Sequence, residues 1–451
     1  MKRLTWIFPF LIFIFVFSVL LYNLSNSTLA PWDEAWYAVI GRNVIKGHIL
    51  DLSYNGGSFW DHPPLGFYSI ALSFLALGVS DFSARLPMAI FGALTVMMVF
   101  LIGKKMINAK VGLMAAIILF SCRWFLLRSR TADLDALLLF TQATTFYFLI
   151  EAKTKRNLSW MWFFFGLAMV SKSAISLVML PLLVIASRPY WKSGIITVRR
   201  SLIFFLLPII PWYGYNSLVY GFPFLIQNVF NIGFRKGSAS GVSAETITRT
   251  LLYLRSAVHK WYLPLLASSA LGLGLLKQKN IKWIMGYLFL SGFPYFISSQ
   301  SQIWHLLPVM IPMSLLIPMV GVEILNRFKL PKQINLVAQI GLLLVIFGIG
   351  IVSLRAYWPE MFNLPKQVAN EARMGQMAKE INLPLYVQDT TYLPAIIFYA
   401  NKDRVQIIRR QDDIGQIKRP FQLITRDFLI KQTKGYAIEG QIGEMVLVRY
   451  E

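Results

Sequence analysis

The sequence predicts an α-helical polytopic membrane protein that ends in a small α/β domain. Three observations carry this. Of the 451 residues, 56% are hydrophobic and only 14% are charged, against about 25% charged in soluble globular domains. Apolar runs of about 20 residues, the length that crosses a bilayer as a helix, recur along most of the chain. After Arg355 the pattern changes to polar, mixed segments with short alternating runs.

The formal net charge is +23, from 44 Lys and Arg against 21 Asp and Glu. Nucleic-acid binding is one reading of such an excess. The positions favour another. The basic residues sit in short loops between apolar runs, where they orient a membrane protein and touch anionic lipid. Membrane lipids are therefore expected partners and nucleic acid is not. A single cysteine, Cys122, excludes an intrachain disulfide and leaves no Cys-based metal site.

The first apolar run, residues 4–24, follows Lys2 and Arg3, which place its start in the cytoplasm. It is longer than the apolar core of a secretory signal. An uncleaved first helix is expected, although residues 25–30 imitate a cleavage site. An outer loop spans residues 25–85. Within it, residues 34–46 read as an interfacial helix: Glu34, Arg42 and Lys46 share one face, and Trp36, Val39, Ile40 and Val44 lie toward another. Gly47 is its stop, Gly56-Gly57 a turn, and Pro63-Pro64 a rigid entry into the next helix. That helix, residues 65–77, is too short to cross.

Charge bookkeeping agrees. If 65–77 stays on the outer side, the clusters at Lys104/Lys105/Lys110, Lys153/Lys155/Arg156, Arg188/Lys192/Arg199/Arg200, Lys277/Lys279/Lys282 and Arg327/Lys329/Lys332 all fall inside. If it crosses, all of them move outside. The remaining spans are expected near residues 86–103, 111–127, 134–150, 158–170, 174–186, 202–220, 258–276, 283–299, 306–325 and 336–354. With the first, that makes about eleven, in a range of about 11–13. The expected setting is a bacterial inner membrane, with the N-terminus cytoplasmic and the C-terminus outside.

Two domains follow: a transmembrane catalytic domain over 1–355 and an extracytoplasmic α/β domain over 356–451. In the second, residues 385–388, 405–408, 421–424 and 445–450 read as strands, and 367–380 and 391–400 as helices. This tail contains no acid–histidine cluster. Its removal near Arg355 is expected to leave some activity.

The expected topology gathers acids and histidines on the outer side: Asp33, Glu34, Asp51, Asp61, His62, Arg128, Arg130, Asp133, Asp135, Lys172 and His305. An acidic pair beside hydrocarbon is costly unless it is used. Asp33 and Glu34 read either as a helix cap and first-turn charge or as a general base and an orienting carboxylate. Asp133 and Asp135, after Arg128 and Arg130, either cap a helix or bind a cation or phosphate. Asp61 and His62, held by the tandem prolines, either cap or bind. Lys172 snorkels or binds. His305 is a structural or a binding residue.

Taken in order, several stretches resemble the GT-C membrane glycosyltransferases of family 39 type, the group of protein O-mannosyltransferases and the bacterial lipid A aminoarabinose transferase. They are Asp33-Glu-Ala-Trp-Tyr, Asp61-His-Pro-Pro-Leu, Phe82-Ser-Ala-Arg-Leu-Pro87, Arg130-Thr-Ala-Asp-Leu-Asp135, Ser171-Lys-Ser-Ala, Pro211-Trp-Tyr and His305-Leu-Leu-Pro. The ordered set, across residues 1–355, carries the resemblance rather than any one motif. It implies a GT-C-like fold and transfer of a hexose or pentose from a polyprenyl-phosphate donor to an extracytoplasmic lipid, glycan or protein in the cell envelope. It points to Asp33 as the catalytic carboxylate with Glu34 beside it. Asp61, His62, Arg128, Arg130, Asp133, Asp135, Lys172 and His305 become substrate-binding candidates. Many bacterial members have Glu-Lys-Pro-Pro where this chain has Asp61-His62-Pro-Pro, and a histidine holds a phosphate only when protonated or by hydrogen bonding. Lys172, Arg128 or Arg130 can take that charge role.

If the acceptor is itself a phosphate, no base is needed, and Asp33 would orient it or stabilise developing positive charge. No cofactor is implied with certainty, and a divalent cation is compatible with the acids. Two other functions fit a chain of this kind: a transporter or flippase of lipid-linked glycans, and a polymerase or ligase of them. A transporter is expected to show internal repeats and midplane polar sites. No repeat is visible in this sequence.

Overall fold

A computed structural model describes residues 7–451 apart from 192–194, 236–242, 299–300, 363–366, 389–392 and 432–433. Lys2, Arg3 and Lys192, used above for orientation, lie outside the described residues, as do the first residues of the predicted 4–24 span. The chain is mostly helical with a small C-terminal sheet, as the sequence predicts.

The N-terminal part runs α1 (Ile7–Leu21), α2 (Asp33–Ile45), a small hairpin of β1 (Ser53–Tyr54) and β2 (Gly57–Ser58), α3 (Leu65–Leu77), α4 (Asp81–Met106), α5 (Ala109–Phe120), α6 (Arg123–Arg128), α7 (Asp135–Ile150) and α8 (Lys155–Lys172). Helix α4 is the axis of this half and packs against α1, α3, α5 and α7. Ser80 caps it in a reciprocal box with Ser83. At its inner end α4 meets α5 backbone to backbone: a Cβ on Gly103 would lie 2.7 Å from the Gly112 Cα. Small residues permit this close approach between apolar helices.

Helix α2 forms where the sequence predicts a helix, and most of its residues are buried within the protein. It lies against α3, with Gly41 so close that a Cβ there would sit 2.7 Å from Ile70 Cγ2. Helix α3 has 13 residues. That is about 20 Å of helix, short of the ~30 Å hydrocarbon core. The hairpin turn falls on Asn55 and Gly56, both at positive φ, one residue earlier than predicted. Consecutive positive φ values match the twist of paired strands.

By length and composition alone, three described helical stretches are long and apolar enough to cross a membrane: Asp81–Met106, Ile303–Arg327 and Lys332–Phe362. A fourth would be the pair Ile196–Leu206 and Ile210–Tyr220, bent by 69°. The unbroken span predicted over 202–220 is therefore interrupted. Pro208 lies at the break and has no N–H to continue the helical bonding. The segment predicted over 174–186 starts as a 3₁₀ turn, Ser173–Met179, before the helix Leu180–Trp191.

The C-terminal sheet has the order β4-β3-β5-β7-β6, from β3 (Leu385–Gln388), β4 (Gln406–Ile408), β5 (Phe421–Arg426), β6 (Tyr436–Ile442) and β7 (Met445–Tyr450). Strand β3 is parallel to β4 and β5, while β7 is antiparallel to β5 and β6. Strand β6 was not predicted. It is an edge strand, mostly exposed or half-buried, with an irregularity between Ile438 and Gly440 that blurs its alternation.

This domain is bolted to α2. The buried Arg42 guanidinium donates to the Ile397, Phe398 and Lys402 carbonyls and to Asn401 Oδ1, at 2.6 to 3.3 Å. Tyr399 donates to Asp81 and accepts from the Leu29 N–H. Asn55 both donates to the Val405 carbonyl and accepts its N–H. Lys46 pairs with Asp403. The expectation that some activity survives removal of the tail rests on its reading as a separate unit. Its removal would instead take away all four acceptors of a buried cation, a costly loss.

Charge bookkeeping puts the C-terminal domain outside. Gln388 is buried, so exposed Gln416 is the better probe position. With Cys122 replaced, a cysteine at Gln416 is expected to react with an impermeant thiol reagent in intact spheroplasts. Reaction only after lysis would reverse the orientation.

Candidate active site

The first outer loop folds around Glu34. Its two carboxylate oxygens accept the Arg85 Nε and Nη2 hydrogens, each at 2.8 Å, and the backbone N–H groups of Ala30 and Ala132, at 2.8 and 2.7 Å. Arg85 spends its other N–H groups on the Leu24, Ser27 and Thr28 carbonyls. All five of its donors are used, and each Glu34 oxygen accepts twice. The pair is buried, with side chains 5% and 4% exposed. Glu34 therefore has no capacity left to orient Asp33 or to receive a substrate proton. These contacts tie α2 to α4 and to the loop before α7.

Asp33 is the opposite case. It is the first residue of α2, half-buried, and no side-chain cap closes that helix. Among the described residues no hydrogen bond or ion pair holds its carboxylate. The capping role open to it is not taken. Burial is the largest influence on its carboxyl group and raises its pKa above the ordinary value. Asp133 raises it further, Arg128 and Lys172 oppose that, and Asp135 adds a smaller push upward. Tyr37, one turn along α2, is buried. Its hydroxyl is pushed well above its usual range by burial and then by Asp33 and the two other acids. It stays protonated beside Asp33.

Four sequence-predicted residues form the wall that Asp33 faces. Arg128, the last residue of α6, pairs with Asp133 and approaches Asp135 at 3.6 Å. Lys172, the last residue of α8, pairs with Asp135. It does not snorkel away. The Arg128 guanidinium lies 5.5 Å from the Trp124 ring and 4.9 Å from the Trp304 ring, within cation–π range. Neither acid caps α7, which has no side-chain cap bond. Counting Asp33, three acids face two cations. Among the described residues no three His, Cys, Asp or Glu side chains converge into a metal-binding group.

The other candidates lie apart. Arg130 turns away from Asp133 and Asp135. It donates to the Leu20 and Asn23 carbonyls and rests over Phe362 at 4.3 Å, because the turn after α6 points it at the end of α1. His62 packs edge-on against Tyr37, with ring centroids 5.8 Å apart. Asp61 accepts from Gln227 at 2.9 Å in a separate cleft. His305 flanks the cluster: it neighbours Trp304, stacks on Tyr295 at 5.9 Å and accepts the Gln302 N–H.

Over 97% of both chains, the structure superposes with a TM-score of 0.79 on ArnT from Cupriavidus metallidurans bound to undecaprenyl phosphate, at 13% identity. The apo state of that protein gives 0.76 at 14% identity, over 100% of this chain and 98% of the other. The fold is that of the GT-C membrane glycosyltransferases. Residues 61–215 match the family model for dolichyl-phosphate-mannose-protein mannosyltransferases. An Archaeoglobus fulgidus oligosaccharyltransferase is similar at a TM-score of 0.52 and 12% identity, over 88% of this chain and 62% of that one. In sequence, a curated Aquifex aeolicus (strain VF5) protein described as uncharacterized is 26% identical over 165 residues. That match covers 36% of this chain and 32% of its own length.

Within this GT-C frame, sequence reasoning missed Arg85, Tyr37, Trp124 and Trp304. Arg85 lies inside the Phe82–Pro87 stretch that carried the resemblance, but no local pattern ties it to Glu34, 51 residues away. Trp304 adjoins His305 and was masked by reading the histidine alone.

The electrostatics give a signed test by infrared titration of the Asp33 carboxyl band, identified as the band lost in Asp33→Asn. Its midpoint is expected above the ordinary aspartate range. Asp133→Asn removes an upward push, so the midpoint should fall. Lys172→Gln removes a downward pull, so it should rise. Shifts in the same direction would show that these side chains do not act on Asp33 through their charges.

Proposed function

We propose that this chain is a membrane glycosyltransferase that moves a sugar from a polyprenyl-phosphate donor to a hydroxyl on the outer side of a bacterial inner membrane. The observation that carries the reading is the contrast at the head of α2. Glu34 is wholly committed to structure, while adjacent Asp33 is uncommitted, has a raised pKa and faces Arg128 and Lys172. The likeness to a fold that binds undecaprenyl phosphate in ArnT supports the lipid donor.

The roles follow from the donor inventory. A lysine ammonium has three N–H groups and an arginine five. Lys172 gives one to Asp135. Arg128 gives Nη1 to Asp133 and turns Nε toward Asp135. The remaining donors have no protein acceptor among the described residues and can take phosphate oxygens. Asp133 and Asp135 hold the two cations in place. The acceptor hydroxyl attacks the anomeric carbon as the bond from that carbon to the phosphate oxygen breaks. The hydroxyl proton passes to Asp33. The bond electrons leave with the phosphate, whose growing charge Lys172 and Arg128 stabilise. Tyr37, protonated next to Asp33, can donate to its carboxylate and hold it toward the acceptor.

A transporter of lipid-linked glycans would need a polar site open in turn to both faces. The cluster instead gathers at the ends of α2, α6, α7 and α8, on the side charge bookkeeping calls outer.

The test is transfer of label from polyprenyl-phosphate sugars to membrane fractions. Asp33→Asn is expected to lose at least about 100-fold in rate, the scale of a general base, with normal membrane abundance and little change in donor affinity. Turnover within a few-fold of wild type would remove Asp33 from the reaction.

A further inference from the structure

A cavity of about 580 Å³ opens between the β1–β2 hairpin, α2 and the segment after Tyr220. It takes no part in the mechanism above. Its walls are aromatic. Trp36 on α2 sits 5.2 Å from Tyr54 of β1, ring centroid to ring centroid. Trp60 is wedged against Tyr220 and Phe224, at 4.9 and 6.1 Å. Its floor is a chain of planar polar groups. Asn231 donates to Gln227 Oε1 at 3.1 Å, and Gln227 donates to Asp61 Oδ1 at 2.9 Å. The chain is fixed behind by Asn228, which donates to the Trp60 carbonyl at 2.6 Å and accepts from the Tyr213 hydroxyl. Asp61 Oδ2 has no protein donor among the described residues.

The chemistry of this lining is selective. Among the described residues no Lys or Arg lines the cavity and its one charge is negative, which disfavours a phosphate or other anion there. Flat aromatic faces suit the C–H face of a sugar ring. A carboxylate and two amides in line suit its rim of hydroxyls, which both donate and accept. Trp36 is three residues along α2 from Asp33, and His62, next to Asp61, packs on Tyr37. The cavity therefore lies beside the catalytic carboxylate, and the cations lie elsewhere, on α6 and α8.

We infer that this cleft is the acceptor subsite and that the acceptor group it holds is an uncharged carbohydrate. The inference rests on the transferase reading for its role but not for its binding. Charge is divided accordingly: the donor phosphate goes to Arg128 and Lys172, and the neutral glycan goes to the Trp36–Trp60 cleft. Asp61 receives sugar hydroxyl protons in hydrogen bonds, not a donor phosphate.

The test is saturation-transfer NMR on the detergent-solubilised full chain. The probes are methyl mannoside, methyl glucoside, methyl arabinoside and an unstructured Ser/Thr peptide. Ring protons of at least one glycoside should be saturated in wild type, and at least about tenfold more weakly in Trp60→Ala, a step of one decade in affinity. Trp60 packs against two rings, so Ser58→Trp, which fills the cleft from the exposed β2 lip, is the second variant and should act alike. Failure of label transfer alone would remove the transferase reading and leave the glycoside site standing. Absence of saturation, saturation equal in wild type and both cleft variants, or saturation of the peptide but not the glycosides would each overturn the subsite.

Discussion

The packing of the N-terminal loop depends on one buried ion pair. Glu34 and Arg85 use every hydrogen-bonding position they have, on each other and on the backbone around them. Two charges removed from water are tolerable only when fully paired and hydrogen-bonded. The pair fixes α2 to α4, and through the Ala132 N–H it fixes the loop that carries Asp133 and Asp135. Arg42, eight residues further along α2, extends the same logic to the C-terminal domain. A short helix packed against α3 is thereby also locked to α4, to the loop before α7 and to the C-terminal domain.

That rigidity gives Asp33 its chemical meaning. A half-buried carboxylate without partners is costly, and here the surroundings impose the cost. Burial and Asp133 push its pKa upward while Arg128 and Lys172 restrain it. In the role proposed for Asp33, a carboxyl group with a raised pKa is better matched to proton transfer near neutrality than an ordinary aspartate. The two cations serve this balance and still keep donors free.

The membrane class, the C-terminal sheet domain and the helix at Asp33–Ile45 were legible because they rest on composition and periodicity. So was the gathering of Asp33, Arg128, Asp133, Asp135 and Lys172, because orientation by positive charge places all five near one surface. The roles of the two adjacent acids were not legible. Asp33 and Glu34 differ by one position, and which of them meets Arg85 depends on the packing of α2 against α4. Arg130 was misplaced for a related reason: two residues beyond Arg128 around a turn is enough to face α1 instead of α7. Strand β6 and the break at Pro208 were missed where local patterns are weak or where an apolar run hides a bend.

The central claim is that one acid of the pair holds the fold and the other acts. Thermal unfolding of purified Glu34→Gln and Asp33→Asn tests it without any assay of activity. Glu34→Gln leaves the Arg85 charge buried without its counterion, so it should lose about 3–5 kcal/mol of stability. Asp33→Asn removes a carboxylate whose raised pKa means that its ionised form is unfavourable in the folded state above that pKa. At neutral pH its melting temperature should match or exceed that of wild type. Equal losses in the two variants, or a loss confined to Asp33→Asn, would contradict the account.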